Sequence, residues 1–239
     1  MDKSYQWKKQ AAAVFFPQRV CPVCGGFSTD GACPDCRREL ASLRPCPVCA
    51  TFIPATESEF YRCHGCSGRE PSFEQARAAG EYGGVLREKL LAFKYRGRTG
   101  LRRPLAALLC EAWQRWYGEL TFDAVIPVPL HERRLAERGY NQVELLTAIL
   151  SREQELPHAP GLLRRVKDTP PLSATATRRS RFELMRGAFA AEPDCRELRV
   201  LLVDDIFTTG ATAEAASLAL LRQGAASVRV LTVAAGRES

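Results

Sequence analysis

The stretch from residue 199 to 233 constrains the fold most, because it reads as strand, turn, helix and strand in immediate succession. Arg199–Val203 is an apolar run, Thr212–Gln223 repeats its apolar residues at helical spacing, Gly224 stands where a helix ends, and Ser227–Val233 is apolar and β-branched again. Two strands joined through one helix form a βαβ unit, so the chain is committed to a parallel sheet. The same alternation runs upstream. Gln75–Glu81 reads as a strand and Tyr82–Lys94 as a helix. Leu101–Tyr117 is a second helix with Pro104 in its first turn, and Phe122–Val128 a strand. Asn141–Arg152 is a helix carrying Val143, Leu145, Leu146, Ile149 and Leu150 on its apolar side. Residues 157–187 hold Pro157, Pro160, Pro170 and Pro171 without periodicity and are expected to be a long loop. The expectation for 71–239 is an α/β domain, a parallel sheet with flanking helices.

Residues 1–70 are of another kind. They have few apolar runs and cannot bury a core of their own, yet they hold eight of the ten cysteines as four CxxC pairs. The pairs are Cys21/Cys24, Cys33/Cys36, Cys46/Cys49 and Cys63/Cys66, separated by eight, nine and thirteen residues. Two such knuckles complete one tetrahedral thiolate site, so eight cysteines make two structural zinc sites. Consecutive pairing is the simpler arrangement, and pairing of the first with the third knuckle stays open. A disulfide framework is the competing reading, and it asks for an exported chain. The longest apolar run near the start, Ala11–Phe16, is too short for a secretory core, and no run approaches the ~18 residues of a membrane span. A cytoplasmic protein is therefore expected, with 46% hydrophobic and 26% charged residues, ordinary for a soluble one. His64 inside the last knuckle reads as a bystander, and Cys110 and Cys195 as small side chains without partners.

The candidate ligand site is Val200–Thr212. Two carboxylates, Asp204 and Asp205, end a buried strand, and a turn then opens a helix. Backbone N–H groups from Thr208 to Thr212, at the positive end of that helix, suit a phosphate monoester. Thr208, Thr209 and Thr212 add hydroxyls, Gly210 permits close approach, and Ala211 lies between them. The carboxylates can accept hydrogen bonds from vicinal sugar hydroxyls or hold magnesium through water. As strand neighbours they point to opposite faces, so the second is expected where the strand already turns. A plain helix N-cap would need only one Asp or Thr. Pro129 and Leu130, with Arg133, Arg134 and Arg138 close behind, are candidates for pyrophosphate. Seven basic residues lie between 164 and 186 in a chain of net charge +7. They suit a cover over a phosphate site or a strip for a nucleic-acid backbone, and solvated charge is the plain alternative. Phe52, Phe60 and Tyr61 suit stacking on bases but are more often packing.

Asp204-Asp-Ile-Phe-Thr-Thr-Gly-Ala-Thr212 resembles the phosphoribosyl pyrophosphate motif of type I phosphoribosyltransferases, and the wider chain resembles the ComF family, the GntX and competence protein ComF group. Phe16-Pro17 before the CxxC series resembles that family's zinc-finger start. Lys94 in Leu-Ala-Phe-Lys-Tyr-Arg-Gly97, Ile126-Pro-Val-Pro-Leu130, Arg138-Gly-Tyr-Asn-Gln142 and Arg186-Gly-Ala-Phe189 resemble its further elements. The chain departs from the family pattern across Pro171–Met185, where Leu184 stands at the family's Asn. The resemblance implies a phosphoribosyltransferase-type domain that binds phosphoribosyl pyrophosphate or a nucleotide with magnesium, with Lys94 among the ligand residues. It also implies a role in single-stranded DNA uptake or processing during natural competence, alongside a helicase-like protein and a recombination mediator. The alternative is an active transferase that passes phosphoribose to an acceptor, a reaction needing no nucleophilic side chain.

Overall fold

The computed structural model describes residues 43–170 and 177–238, together with Pro34 and the two-residue antiparallel strands β1 (Arg19–Val20) and β2 (Phe27–Ser28). Cys21, Cys24, Cys33 and Cys36, Phe16-Pro17 and residues 171–176 lie outside the described residues. A hairpin of β3 (Leu43–Pro45) and β4 (Phe52–Pro54) leads into β5 (Gln75–Glu81). Helices α1 (Gly84–Tyr95) and α2 (Arg102–Tyr117) follow, then β6 (Ala124–Pro127), α3 (Glu132–Arg138) and α4 (Gln142–Glu153). After β7 (Leu163–Arg165), α5 (Arg178–Met185) and β8 (Phe189–Ala191), the chain closes with β9 (Arg199–Phe207), α6 (Ala211–Arg222) and β10 (Ser227–Ala235).

The central sheet has the order β5-β10-β9-β6 and is parallel throughout. Alternate residues of its strands feed two cores. Val200, Leu202, Val228 and Val230 join Ala213, Ala216 and Leu220 of α6 and the cysteine-bearing segment. Leu201, Val203, Leu231 and Val233 join Leu90 and Phe93 of α1, Leu105 and Leu109 of α2, and Val143, Leu146 and Leu150 of α4. Covered on both faces, the strands read as continuous apolar runs rather than as alternation. Because α4 follows β6 onto one face and α6 follows β9 onto the other, a crevice opens at the carboxyl ends of these neighbouring strands.

Both sheet edges are covered. Val125 of β6 is bracketed by Pro157 and Ala159, whose backbones bond it at 2.7 and 3.0 Å. At the β5 edge, Ala76 donates to the Val48 carbonyl at 2.9 Å, and the buried Arg77 guanidinium donates to the Cys46 and Pro47 carbonyls at 3.1 Å each. Phe52 meanwhile exchanges backbone bonds with Gly236 and Glu238. The segment around Cys46–Cys66 therefore borrows the core of the sheet domain, which answers how so small a stretch is held.

The expected loop over 157–187 is corrected in part. A 3-10 turn at Pro160–Leu162, the three-residue strand β7 paired antiparallel with β8, and helix α5 interrupt it. Three residues are too few to show alternation, and α5 is so charged that no apolar stripe marks it. Its start is supported locally, Thr177 capping it by accepting from the Ser180 N–H at 3.1 Å and Arg179 pairing with Glu183 one turn on at 2.9 Å, while Phe182 and Met185 pack on the core.

Candidate functional site

The carboxylate pair lies at the crevice, though not as expected. β9 does not turn at Asp205 but runs on to Phe207, so the two side chains do leave opposite faces. Both nevertheless line one cleft of about 330 Å³, because it straddles the strand's end. Asp205, on the side of α1 and α4, is buried. It accepts from Lys94 Nζ at 3.1 Å (Oδ1) and 3.0 Å (Oδ2), and from Gln142 Nε2 at 2.8 Å. Burial opposes its charge, but Lys94 and Gln142 outweigh burial and hold the carboxyl below its ordinary value. Lys94 is itself held protonated by Asp205 against the same burial.

Among the described residues Asp204 has no such counter-ion in contact. Its Oδ1 accepts the Asp205 N–H at 2.8 Å. Burial first and the neighbouring Asp205 charge second push it up to about 7, against the pull of Lys94 and Arg165. The two adjacent carboxyls are thus shifted in opposite directions, Asp205 below and Asp204 above the ordinary value.

The Arg138–Gln142 stretch explains the placement of Gln142. Asn141 caps α4 by accepting from Val143 N–H at 3.0 Å, and its Nδ2 donates to the Val128 carbonyl at 3.2 Å. That ties the helix start to the end of β6 and aims Gln142 at Asp205. Arg138 donates to Gln142 Oε1 and lies 5.4 Å from the centre of the Tyr95 ring. Gln142 was legible in the motif but not as the partner of Asp205.

Of the remaining sequence candidates, Lys94, Pro129, Leu130, Arg138, Thr208 and Thr212 line the cleft. Thr209 and Gly210 border instead a small cavity beneath the cysteine cluster, and Ala211 is buried as the first residue of α6. Gly210 adopts φ +79, and a Cβ there would meet the Phe207 ring at 2.8 Å, so both backbone and space demand glycine. Arg133 stays outside the cleft, exposed and paired with Glu137 at 3.1 Å and Asp168 at 3.0 Å. Arg134 lines the cleft and donates to the Thr169 carbonyl at 3.2 Å. His131 caps α3.

The basic residues between 164 and 186 form no single strip. Arg165 and Arg181 line the cleft. Arg164 pairs with Glu192 at 2.6 Å, Lys167 donates to the Leu184 carbonyl at 3.3 Å, and Arg178 donates to the Gly65 carbonyl at 2.7 Å. Arg165, which no motif singled out, stacks near Phe189 and contacts Thr169. The cleft thus faces its two carboxylates with five cations: Lys94, Arg134, Arg138, Arg165 and Arg181. Such a surface suits an anion that also carries hydroxyl groups.

The third and fourth cysteine pairs meet. Cys46, Cys49, Cys63 and Cys66 are buried, with sulfurs all within 4.8 Å of one another. The Cys46/Cys49 knuckle is the β3–β4 turn, closed by Cys46 N–H to the Thr51 carbonyl at 2.8 Å; the Cys63/Cys66 knuckle closes by Cys66 N–H to the Cys63 carbonyl at 2.8 Å. Cys49 Sγ and Cys63 Sγ lie 3.5 Å apart. A tetrahedron with Zn–S near ~2.3 Å has sulfurs ~3.8 Å apart, so the quartet could hold a metal ion. His64 points away to Glu238 at 2.8 Å. Phe52 and Tyr61 pack on the core, whereas Phe60 is exposed. Cys195 is buried, its thiol 3.5 Å from the Leu162 carbonyl. Among the described residues no helix is long and apolar enough to cross a membrane.

A model of the phosphoribosyl transferase domain matches residues 135–239. Competence protein F of Haemophilus influenzae is 31% identical over 221 residues, 88% of this chain and 94% of that protein. DNA utilization protein YhgH of Escherichia coli is 30% identical over 84% of this chain and 88% of that protein. Competence protein ComFC of Bacillus subtilis is 28% identical over 84% and 82%. Among solved structures, the allosteric regulatory enzyme of purine biosynthesis aligns at 18% identity over 60% of this chain and 30% of that one, with a TM-score of 0.41. By its identity to competence protein F and its coverage of that relative, the chain belongs to the ComF family, with a type I phosphoribosyltransferase-like parallel sheet preceded by a cysteine-rich module.

Proposed function

We propose that the cleft binds phosphoribosyl pyrophosphate or a nucleotide together with Mg²⁺, in a cytoplasmic protein that handles single-stranded DNA in natural competence. The observation that carries this reading is the pairing of Asp204 and Asp205 with five cations in one crevice at the ends of β6 and β9. Asp204 accepts the ribose hydroxyls. Thr208, Thr212 and the backbone from Thr209 to Ala211 take the 5′-phosphate at the start of α6, while Pro129, Leu130, Arg134 and Arg138 face the pyrophosphate. Asp205 acts as the anchor that fixes Lys94 and Gln142 around the site.

The donor set fits magnesium only in a limited way. Asp205 already has both oxygens engaged, and Asp204 offers the one oxygen without a hydrogen bond among the described residues. Magnesium keeps several waters and is usually held by one or two carboxylates and the substrate's phosphates, so Asp204 would hold it jointly with the ligand. When bound, the ion would neutralise phosphate charge. The cysteine quartet fits zinc as a closed structural site, and two such ions are proposed for the eight cysteines.

The DNA role follows the relatives named for competence and DNA utilization. A helicase-like protein and a recombination mediator are the proposed partners. Active transfer of phosphoribose to an acceptor is the second reading, favoured by Arg165 and Arg181 lining the cleft where a leaving pyrophosphate would need cations. Calorimetric titration with phosphoribosyl pyrophosphate and magnesium, and then with an oligonucleotide, tests the proposal. Asp204→Ala with Asp205→Ala weakens binding in a folded protein if the reading holds, and unchanged affinity removes the carboxylates from the site. Pyrophosphate release with candidate bases would bring the second reading forward.

A further inference from the structure

The metal quartet and the cleft lie on one connected set of contacts. Gly65 sits inside the Cys63–Cys66 knuckle, and its carbonyl accepts from Arg178 Nη2 at 2.7 Å. Arg178 is the first residue of α5. Its guanidinium lies 5.4 Å from the centre of the Phe182 ring, and that of Arg69, three residues beyond Cys66, lies 4.1 Å from the same ring. Arg69 also pairs at 2.9 Å with Glu214 in the first turn of α6, which accepts from the Ser72 N–H at 2.9 Å and hydroxyl at 3.1 Å. One turn along α5 from Arg178, Arg181 lines the cleft and donates to Thr208 Oγ1 at 3.4 Å.

We propose that Arg178 is a positioning residue through which the four-cysteine centre sets the placement of α5 and so of Arg181 at the cleft. The proposal rests on reading the cleft as a pyrophosphate site. A tetrahedral ion fixes both knuckles, and with them the direction of the Gly65 carbonyl. Arg178 carries that direction to the first turn of a helix whose apolar anchors, Phe182 and Met185, lie further along it. Metal retention and anion binding then share a coupling free energy, and the coupling is reciprocal. The residue at position 65 is part of the device. A Cβ there would fall 1.8 Å from Arg178 Nη1, so glycine is what allows the guanidinium to dock. Its φ lies outside the left-handed region, and the obstructed atom is the tip of a flexible side chain. Gly65→Ala therefore displaces Arg178 without straining the knuckle.

The test uses the full chain as wild type, Arg178→Ala and Gly65→Ala, with zinc content and melting temperature measured first. Amide exchange across 178–186 is expected to rise about tenfold in both variants, with α6 and β9 unchanged. Affinity for pyrophosphate with magnesium is expected to fall about fivefold, within the usual range of coupling between sites. Pyrophosphate should also slow zinc loss to a chelator in the wild type and not in the variants, which a merely structural arginine would not produce. Unchanged exchange over α5 in both variants overturns the proposal, as does an equal slowing of zinc loss in all three proteins. A wild type without pyrophosphate affinity refutes the reading of the cleft instead, and the exchange measurement then decides the coupling alone.

Discussion

Asp204→Asn isolates the charge that the cleft holds least comfortably. The amide keeps an oxygen to accept the Asp205 N–H at 2.8 Å, so the substitution removes ionisation and little else. Asp204 stands at about 7 against an ordinary 3.8, raised first by burial and then by Asp205. At ~1.4 kcal/mol per tenfold this bounds the cost of its charge at roughly 4 kcal/mol, and the open cleft reduces it to ~1–2 kcal/mol. The native state keeps the proton between 3.8 and about 7, where the unfolded chain has lost it, so wild-type stability falls as pH rises through that window. Urea unfolding of both proteins at pH 5, 6.5 and 8 measures the difference, in which metal release and other titrations largely cancel. The variant should be more stable by ~1–2 kcal/mol at pH 8, with the gap narrowing toward pH 5. A gap independent of pH, or a variant weaker at pH 8, would refute the reasoning.

Lys94→Met leaves Asp205 charged and buried without its counter-ion and should cost ~3 kcal/mol. Adding Asp205→Asn should restore most of that, and additive losses in the double mutant would deny the pair. Metal analysis of protein purified without added metal should find about two zinc ions per chain, falling by one in Cys46→Ser with Cys63→Ser; no zinc and eight oxidised cysteines would end the metal reading. Binding to single-stranded DNA should weaken with salt at a log–log slope of about −0.7 per phosphate contacted, and Arg178, Arg179 and Arg181→Ala should make it shallower. If that triple variant keeps its DNA affinity and loses pyrophosphate, the helix serves the cleft alone.

The sheet was legible wherever strand and helix signals were long. β5 carries the expected bounds, and α2, α4 and α6 start within a residue of the expected place. What failed was short or charged. β7 has no room for a pattern, and α5 draws its support from Thr177, Glu183 and contacts distant in sequence. The motif residues Asp204, Asp205, Thr208 and Thr212 announced the cleft, because two acids and three threonines around a glycine exceed what a helix cap needs. Which acid takes which part was not legible. That depends on Lys94 and Gln142, brought to Asp205 from 111 and 63 residues away by the packing of α1 and α4. Arg165 was hidden for the same reason, since its place in the cleft comes with the pairing of β7 to β8.

The division between the two carboxylates bears on what the cleft awaits. Lys94 and Gln142 satisfy Asp205 from within the fold, so that carboxylate has little left to offer a ligand. Asp204 remains the costly neighbour, and four arginines line the same crevice. A protein selected only for stability would replace Asp204 with a neutral residue, since most sites tolerate such a change and this one should gain from it. A ligand with vicinal hydroxyls beside phosphate groups, as proposed for this cleft, would resolve both strains together: its hydroxyls would donate to Asp204 as it ionises, and its phosphates would meet the arginines. Binding should accordingly take up the charge on Asp204 that burial and Asp205 resist, with proton release on binding near pH 6.5. Calorimetry in buffers of different ionisation enthalpy reads that release directly, and none in the wild type would mean that Asp204 does not ionise for the ligand.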